Sequence, residues 1–200
     1  PTDIRAGMLG PETLAMEMVM NPDAVRARAA DAAELFLGAL KAQIDMIRDA
    51  GLEEGTVDWM SVWLPGDGVC ASEDFTALIG PGHFRDFVAD PFTKVLSGID
   101  SGMLHIHSAA HACIPEIVKL PGLRAIELSN DPNGPDQEGL IRLGRIIQEA
   151  GLALQMSNWE HPLTIEEIRL LMDSLDPRGL LVTLQAFSMD EARELYDLAK

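Results

Sequence analysis

A regular alternation of strand-like and helix-like segments limits what this chain can fold into. Apolar runs predict strands at residues 56–64, 103–108, 123–128, 152–157 and 180–184. Helical periodicity, with start and stop signals, predicts helices at residues 22–50, 81–98, 112–120, 136–150, 164–175 and 190–200. Residues 1–10 and 69–75 are expected to be irregular. This alternation is typical of βα units joined by right-handed crossovers, and antiparallel meanders do not produce it.

The predicted fold class is α/β with parallel strands, either an open sheet or part of a (β/α)₈ TIM barrel. An open sheet that binds a nucleotide usually has a Gly-rich first turn, and the sequence contains neither GxGxxG nor a Walker motif. A complete barrel needs about 250 residues, whereas this chain has 200. Two architectures therefore stay open at this point, an open parallel sheet or a partial barrel of about five βα units, and either would form a single domain over residues 1–200. Pro1 is not an initiator methionine, so the chain is either processed or a piece of a longer protein that carries the first strands. Closure by another chain, as in a homo-oligomer, is an alternative.

Composition excludes several classes of partner. The formal net charge of −17 argues against binding to nucleic acid or to anionic membranes, because both require a basic surface. No apolar run approaches the roughly 20 residues of a membrane span, and the first residues do not resemble a signal peptide. A cytoplasmic location is therefore expected. The two cysteines, Cys70 and Cys113, are expected to be free thiols.

Residues 103–113 form the most informative stretch, because they hold three of the five histidines. His105 and His107 lie two apart in a predicted strand, so their side chains should point to the same side. There they could share a metal ion, for which Zn, Fe and Ni are all candidates, with His111 or Cys113 as a further ligand. Two alternatives remain open at this point: a metal-free ligand site, and a layer of hydrogen-bonded histidines with a structural role.

Carboxylates follow several predicted strands and are candidates for general acid–base catalysis. Asp67 and Asp74 follow the first strand, Asp131 the third and Glu160 the fourth. Glu127 differs because it lies inside an apolar strand, where a carboxylate needs a partner or a catalytic task. We predict Glu127, Asp74 and Glu160 as catalytic residues.

Aromatic and amide side chains near the strand ends predict a pocket for a small organic substrate. Asn158 and Trp159 follow the fourth strand, Gln185 follows the fifth, and Trp63 lies near the end of the first. We expect these four residues and Asp67 to bind the ligand.

The chain resembles the C-terminal two-thirds of the uroporphyrinogen decarboxylase-like superfamily. The resemblance rests on "GPETLAMEMVMNPDAVRARAADAAELFLGALKAQID", "ASEDFTALIGPGHFRDFVADPF" and "LHIHSAAHACIPEIVKLPGLRAIEL". It implies that the chain is a partial (β/α)₈ TIM barrel of about five βα units, with the first strands of the barrel outside this chain. The family includes the decarboxylase and cobalamin-dependent methyltransferases. Those methyltransferases bind zinc through a His-x-Cys strand end and a later Cys. His105 matches the His, His107 stands where the Cys would be, and residues 184–185 contain no Cys.

The resemblance implies methyltransferase-type chemistry with a corrinoid or thiol methyl carrier, and a corrinoid protein as a partner. A metal-free binding or sensing protein on the same barrel is the first alternative. A tetrapyrrole carboxy-lyase is the second, and the scarcity of basic residues near the strand ends speaks against it, because carboxylated substrates need Arg partners.

Overall fold

Three consecutive helices open the chain in the computed structural model, which describes residues 1–51, 54–157 and 163–198. They are α1 (Thr2–Leu9), α2 (Pro11–Met20) and α3 (Pro22–Asp49). A proline begins both α2 and α3, where its missing N–H costs no hydrogen bond. The expectation that residues 1–10 are irregular is wrong. Helix α1 is held by side-chain contacts with residues more than 70 positions away, which local periodicity cannot reveal.

A β-hairpin replaces the single strand predicted at residues 56–64. Strands β1 (Gly55–Val57) and β2 (Trp63–Pro65) pair antiparallel. The Asp58 carboxylate closes the turn between them, accepting hydrogen bonds from the backbone N–H groups of Met60 at 2.9 Å and Val62 at 3.1 Å. An aspartate that bonds nearby backbone in this way competes with strand formation.

A five-stranded sheet forms the centre of the fold. Its strands are β3 (Gly68–Ser72), β4 (Ser101–His107), β5 (Leu123–Ser129), β6 (Ala153–Ser157) and β7 (Leu180–Thr183). All neighbouring pairs are parallel, and the spatial order follows the chain order. Four of the strands agree with the prediction. The remaining one, β3, lies in the stretch expected to be a loop, because its small residues carry little strand propensity.

Helices connect the parallel strands. Between β3 and β4 come a 3₁₀ helix (Asp74–Leu78), α4 (Pro81–His83), a π-helical turn (Phe84–Ala89) and α5 (Asp90–Leu96). Later connections contain a second 3₁₀ helix (Ser108–Cys113), α6 (Ile114–Ile117), α7 (Gln137–Glu149) and α8 (Ile165–Ser174), and α9 (Met189–Leu198) follows β7. Thr164 and Glu167 form a capping box at the start of α8.

The two faces of the sheet differ in character. On one face, alternate strand residues such as Leu104, Ile106 and Ile126 pack with the helices in the main apolar core. On the other face, a small apolar cluster contains Met60 of the hairpin and Met103 of β4. Beyond this cluster, toward the carboxyl ends of the strands, that second face becomes polar.

Sequential parallel strands with connecting helices are compatible with part of an α/β barrel. A doubly wound sheet would reverse its strand order at a switch point, and the order β3 to β7 does not reverse. Closure of a barrel remains a prediction. None of the helices in the described ranges is long and apolar enough to cross a membrane.

Candidate functional site

A row of polar side chains crosses the second face near the carboxyl ends of the strands. The sheet register aligns Ser72 of β3 with His105 of β4, His105 with Glu127 of β5, and Glu127 with Gln155 of β6. His107 lies one step further toward the strand ends. Because His105 and His107 are two residues apart in β4, both imidazoles lie on this face, as predicted. Their ring centroids are 5.0 Å apart.

His105 is held by a buried carboxylate. Its Nδ1 lies within hydrogen-bond distance of Glu127 Oε2, and the other carboxylate oxygen of Glu127 accepts a hydrogen bond from Ser157 Oγ. Glu127 has no exposed surface. The Trp59 ring meets the imidazole edge-on at 5.0 Å and limits its rotation.

A carboxylate also holds His107, which lies closer to the end of β4 than His105 does. Its Nδ1 lies 2.6 Å from Asp131 Oδ1. The second oxygen of Asp131 accepts hydrogen bonds from the backbone N–H of Ala109 at 3.0 Å and from Ser108 Oγ at 3.4 Å. The backbone N–H of Asp131 in turn donates to Ser108 Oγ at 2.9 Å. The carboxylate that orients His107 is therefore itself fixed at two points.

The second ring nitrogen, Nε2, of each imidazole faces the same carboxylate oxygen. Asp74 Oδ1 lies 3.4 Å from Nε2 of His105 and 3.7 Å from Nε2 of His107. An ionised carboxylate can only accept a hydrogen bond, so the proton in each Nδ1 contact lies on the ring nitrogen. The two Nε2 atoms and the carboxylate oxygen therefore face the same space, and in the tautomer without a proton on Nε2 all three are potential ligands of one cation.

The donor set and the distances suit a divalent metal ion. One ligand atom each from Asp74, His105 and His107 can be chosen so that all lie within 4.8 Å of one another, and this cluster could hold a metal. Bonds of about 2.1 Å place neighbouring ligand atoms about 3.0 Å apart in octahedral geometry and about 3.4 Å apart in tetrahedral geometry. The nitrogen–oxygen distances of 3.4 and 3.7 Å are close to the tetrahedral value. Because Asp74 is half exposed, its carboxylate can make the small closing movement.

The electrostatics of this face favour a positive ion. No Lys or Arg in the described part of the chain forms an ion pair with Asp74, Glu127 or Asp131. Burial also raises the pKa of the Asp58 carboxyl, to which the negative charge of Glu127 contributes. The same two causes, burial first and then the neighbouring carboxylates, raise the pKa of the Cys70 thiol.

His111 and Cys113 were predicted as further metal ligands, and the structure does not bring them into this cluster. His111 is exposed on the second 3₁₀ helix. Cys113 is buried in the apolar core on the opposite face, where its Sγ donates to the carbonyl oxygen of Ile79 at 3.5 Å. Burial raises the pKa of the Cys113 thiol to about 11. The 3₁₀ turn that follows β4 directs the thiol away from the histidines.

The cluster of Asp74, His105 and His107 contains none of the predicted ligand-binding residues that the structure describes. Asp67 was expected at the carboxyl end of a parallel strand, and this placement is wrong. The residue precedes β3, its carbonyl accepts from the backbone N–H of Ser101 at the start of β4, and its side chain pairs with Arg48. Trp63 lies in the hairpin and lines a cavity of about 640 Å³ with residues such as Ile47. Gln185 is half-buried just after β7.

Asn158, Trp159 and Glu160 lie outside the described residues, so their predicted roles stay predictions. Three side chains at the site were not predicted from the sequence: Ser72, Ser157 and Trp59. Ser157 had a detectable signal, because it is a polar residue at the end of an apolar strand. Trp59 had none, because it reaches His105 from a hairpin that was predicted as a strand.

Comparisons of the chain with models of protein families, with curated proteins and with solved structures found no match. The resemblance to the uroporphyrinogen decarboxylase-like superfamily therefore stays a prediction from the sequence motifs. The arguments about function that follow start from the site itself.

Proposed function

We propose that the protein is a zinc-dependent enzyme whose metal ion is held by Asp74, His105 and His107. One observation carries the proposal: both Nε2 atoms face Asp74 Oδ1 while a carboxylate holds each Nδ1. A carboxylate on the second nitrogen of a metal-binding histidine fixes the tautomer and the ring orientation and makes the ring a better ligand. A purely structural pair of histidines has no need of this arrangement on both rings.

Three protein ligands are typical of catalytic zinc, which keeps a further position for water or substrate. A zinc ion bound there would lower the pKa of a thiol or a water molecule and make it a nucleophile at neutral pH. Two neutral imidazoles and one carboxylate leave a net positive charge on the ion, which favours an anionic sulfur or oxygen. The chain's own contribution is to orient the imidazoles and to fix the proton on each Nδ1.

The reaction that we propose is methyl transfer to a thiol. A sulfur–carbon bond forms, the bond between the methyl group and its carrier breaks, the carrier keeps the bonding electron pair and the thiol proton passes to solvent. The resemblance to cobalamin-dependent methyltransferases supports a corrinoid, free or on a partner protein, as the carrier. Carboxylated tetrapyrroles are poor candidates as substrates, because the site residues named above are acidic or neutral and their carboxylates lack Lys or Arg partners within the described ranges.

Activation of water for a hydrolytic reaction is a second candidate, and the donor set favours it. Catalytic zinc sites with two histidines and one carboxylate are typical of hydrolases. The described cluster contains no cysteine, whereas the methyltransferases that the chain resembles bind zinc through cysteines. The thiol and the water candidates share the metal and differ in the nucleophile.

Elemental analysis of the purified chain tests the metal site. We expect one zinc per chain in the wild type and in His111→Ala, a matched control that removes an exposed histidine outside the cluster. Asp74→Asn should hold much less than one zinc per chain at an unchanged circular dichroism spectrum. A wild type without a stoichiometric metal, or an Asp74→Asn variant that keeps it, would refute the proposal and favour the metal-free binding protein.

The zinc-loaded wild type then distinguishes the two reactions. Methyl transfer predicts that methylcobalamin loses its absorbance when a thiol is added, at a rate that Asp74→Asn reduces. Water activation predicts no demethylation but turnover of an ester or amide substrate.

A further inference from the structure

We infer that Asp3, on the N-terminal helix α1, is a positioning residue for the metal ligand Asp74. The inference rests on the proposed metal site and adds to it a residue 71 positions away in the chain. It also assigns a task to α1, which otherwise packs at the edge of the fold.

The Asp3 carboxylate contacts the start of the 3₁₀ helix that carries Asp74. Its Oδ2 accepts a hydrogen bond from the backbone N–H of Asp74 at 2.8 Å, and its Oδ1 accepts one from the N–H of Phe75 at 2.8 Å. The first N–H groups of a helix have no partner within the helix and are usually satisfied by a nearby capping side chain. The residue before this helix, Glu73, makes no such capping bond. Asp3 takes that role from a distant part of the chain.

A serine links the two carboxylates directly. Ser72 Oγ lies 2.9 Å from Asp3 Oδ2 and 2.6 Å from Asp74 Oδ1, the oxygen that faces both histidines. Its hydroxyl has one proton to donate, so the two carboxylates compete for it. Asp3 therefore acts on both the backbone and the side chain of Asp74.

Helix α1 is also anchored at the residue before Asp74. The backbone N–H of Thr2 donates to Glu73 Oε1 at 3.3 Å, and Thr2 Oγ1 donates to Glu73 Oε2. Both residues are fully buried. Thr2 thus holds Glu73, and Asp3, the next residue of α1, holds Asp74.

Asp74 needs such support more than the other two ligands do. His105 and His107 lie on β4, in the interior of the sheet, and each is held by a buried carboxylate. Asp74 lies on a short 3₁₀ helix, and its side chain is 53% exposed. A ligand with that freedom binds metal well only when neighbouring groups restrict it. Outer partners of this kind typically change metal affinity by about 10- to 100-fold.

The test measures zinc affinity by competition with a chelator in the full chain. We expect Asp3→Asn and Ser72→Ala each to weaken zinc binding about 10- to 100-fold. Ser72→Ala keeps the net charge, so a loss there cannot come from long-range electrostatics. Glu12→Gln removes a charge from an exposed position of the neighbouring helix α2 and should leave the affinity unchanged.

Hydrogen exchange of the metal-free protein provides the second measurement. Asp3→Asn should speed exchange at the amides of Asp74 and Phe75 and leave the amides of β4 protected, which separates a local effect from unfolding. If the wild type binds no zinc, the proposed metal site fails and this inference fails with it. If the wild type binds zinc, and Asp3→Asn binds zinc as tightly or shows the same exchange rate at the amides of Asp74 and Phe75, the role inferred for Asp3 is wrong while the metal site stands.

Discussion

Replacing Glu127 by Gln tests whether the buried carboxylate serves the metal or the fold. Gln has nearly the same shape, and its amide oxygen can still accept from His105 Nδ1 while Ser157 Oγ rotates to accept from the amide. The geometry at both contacts is therefore kept, and the negative charge is lost.

Glu127→Gln is expected to affect the stability of the metal-free protein and that of the zinc-bound protein in opposite directions. A buried charge without a cation is costly, so the metal-free variant should melt at the same temperature as the wild type or higher. The variant should bind zinc about 10-fold more weakly, which is the lower end of the effect of removing a group that holds a metal ligand. A 10-fold weaker affinity removes about 1.4 kcal/mol of the stabilisation that zinc provides. For a chain of this size that corresponds to a zinc-induced rise in Tm that is smaller by about 3 to 6 °C.

Thermal unfolding with and without excess zinc measures both effects. Glu138→Gln, which removes a charge from an exposed side chain of α7, is the control and should match the wild type in both forms. The reasoning would be wrong if Glu127→Gln lowered the Tm of the metal-free protein and left the zinc-induced rise unchanged. That result would mean that Glu127 and His105 form a structural hydrogen-bonded pair.

Two further predictions concern the groups around the site. Gly134→Ala should destabilise the protein by about 1–3 kcal/mol and weaken zinc binding, because a Cβ there would overlap Ser108 Oγ, which holds Asp131 in place. Urea unfolding measures this change against Gly38→Ala, a helical position with free space, which should stabilise by about 0.5–1 kcal/mol. Asp58→Asn should be more stable than the wild type at pH 7 but not below about pH 3.5. Burial raises the pKa of Asp58 in the folded state, so the wild type loses stability as the pH rises through that pKa. If urea unfolding gave the same pH dependence of stability for the wild type and for Asp58→Asn, the raised pKa of Asp58 would be contradicted.

The repeating part of the fold was predictable because its signals are local. Strands β4 to β7 are apolar runs bounded by turn residues, and α3 and α7 have periodic apolar faces. The errors occur where structure depends on distant contacts. Strand β3 is recognisable only through its pairing with β4, and α1 only through its contacts with residues 73–75.

The candidate site was partly predictable for the same reason. The spacing of His105 and His107 placed both on one face, and the position of Glu127 within an apolar strand marked it as a carboxylate that needs a partner. The third member of the cluster had a weaker signal. Asp74 was one of several acidic residues near predicted strand ends, and only the register of β3 with β4 brings it to the histidines. Cys113 is close to them in sequence, yet the six-residue 3₁₀ helix that follows β4 directs its thiol to the opposite face.

Stability and chemistry are divided between the two faces of one sheet. Along β4, Leu104 and Ile106 pack in the helix-covered core, while His105 and His107, which alternate with them, face the polar side. A row of histidines, serines and carboxylates contributes little apolar burial, so its presence on four adjacent strands is not explained by folding. The carboxylates there also lack Lys and Arg partners among the described residues. The cation that we propose would account for both facts, because it would place a positive charge among these carboxylates and would make the occupied face more stable than the empty one.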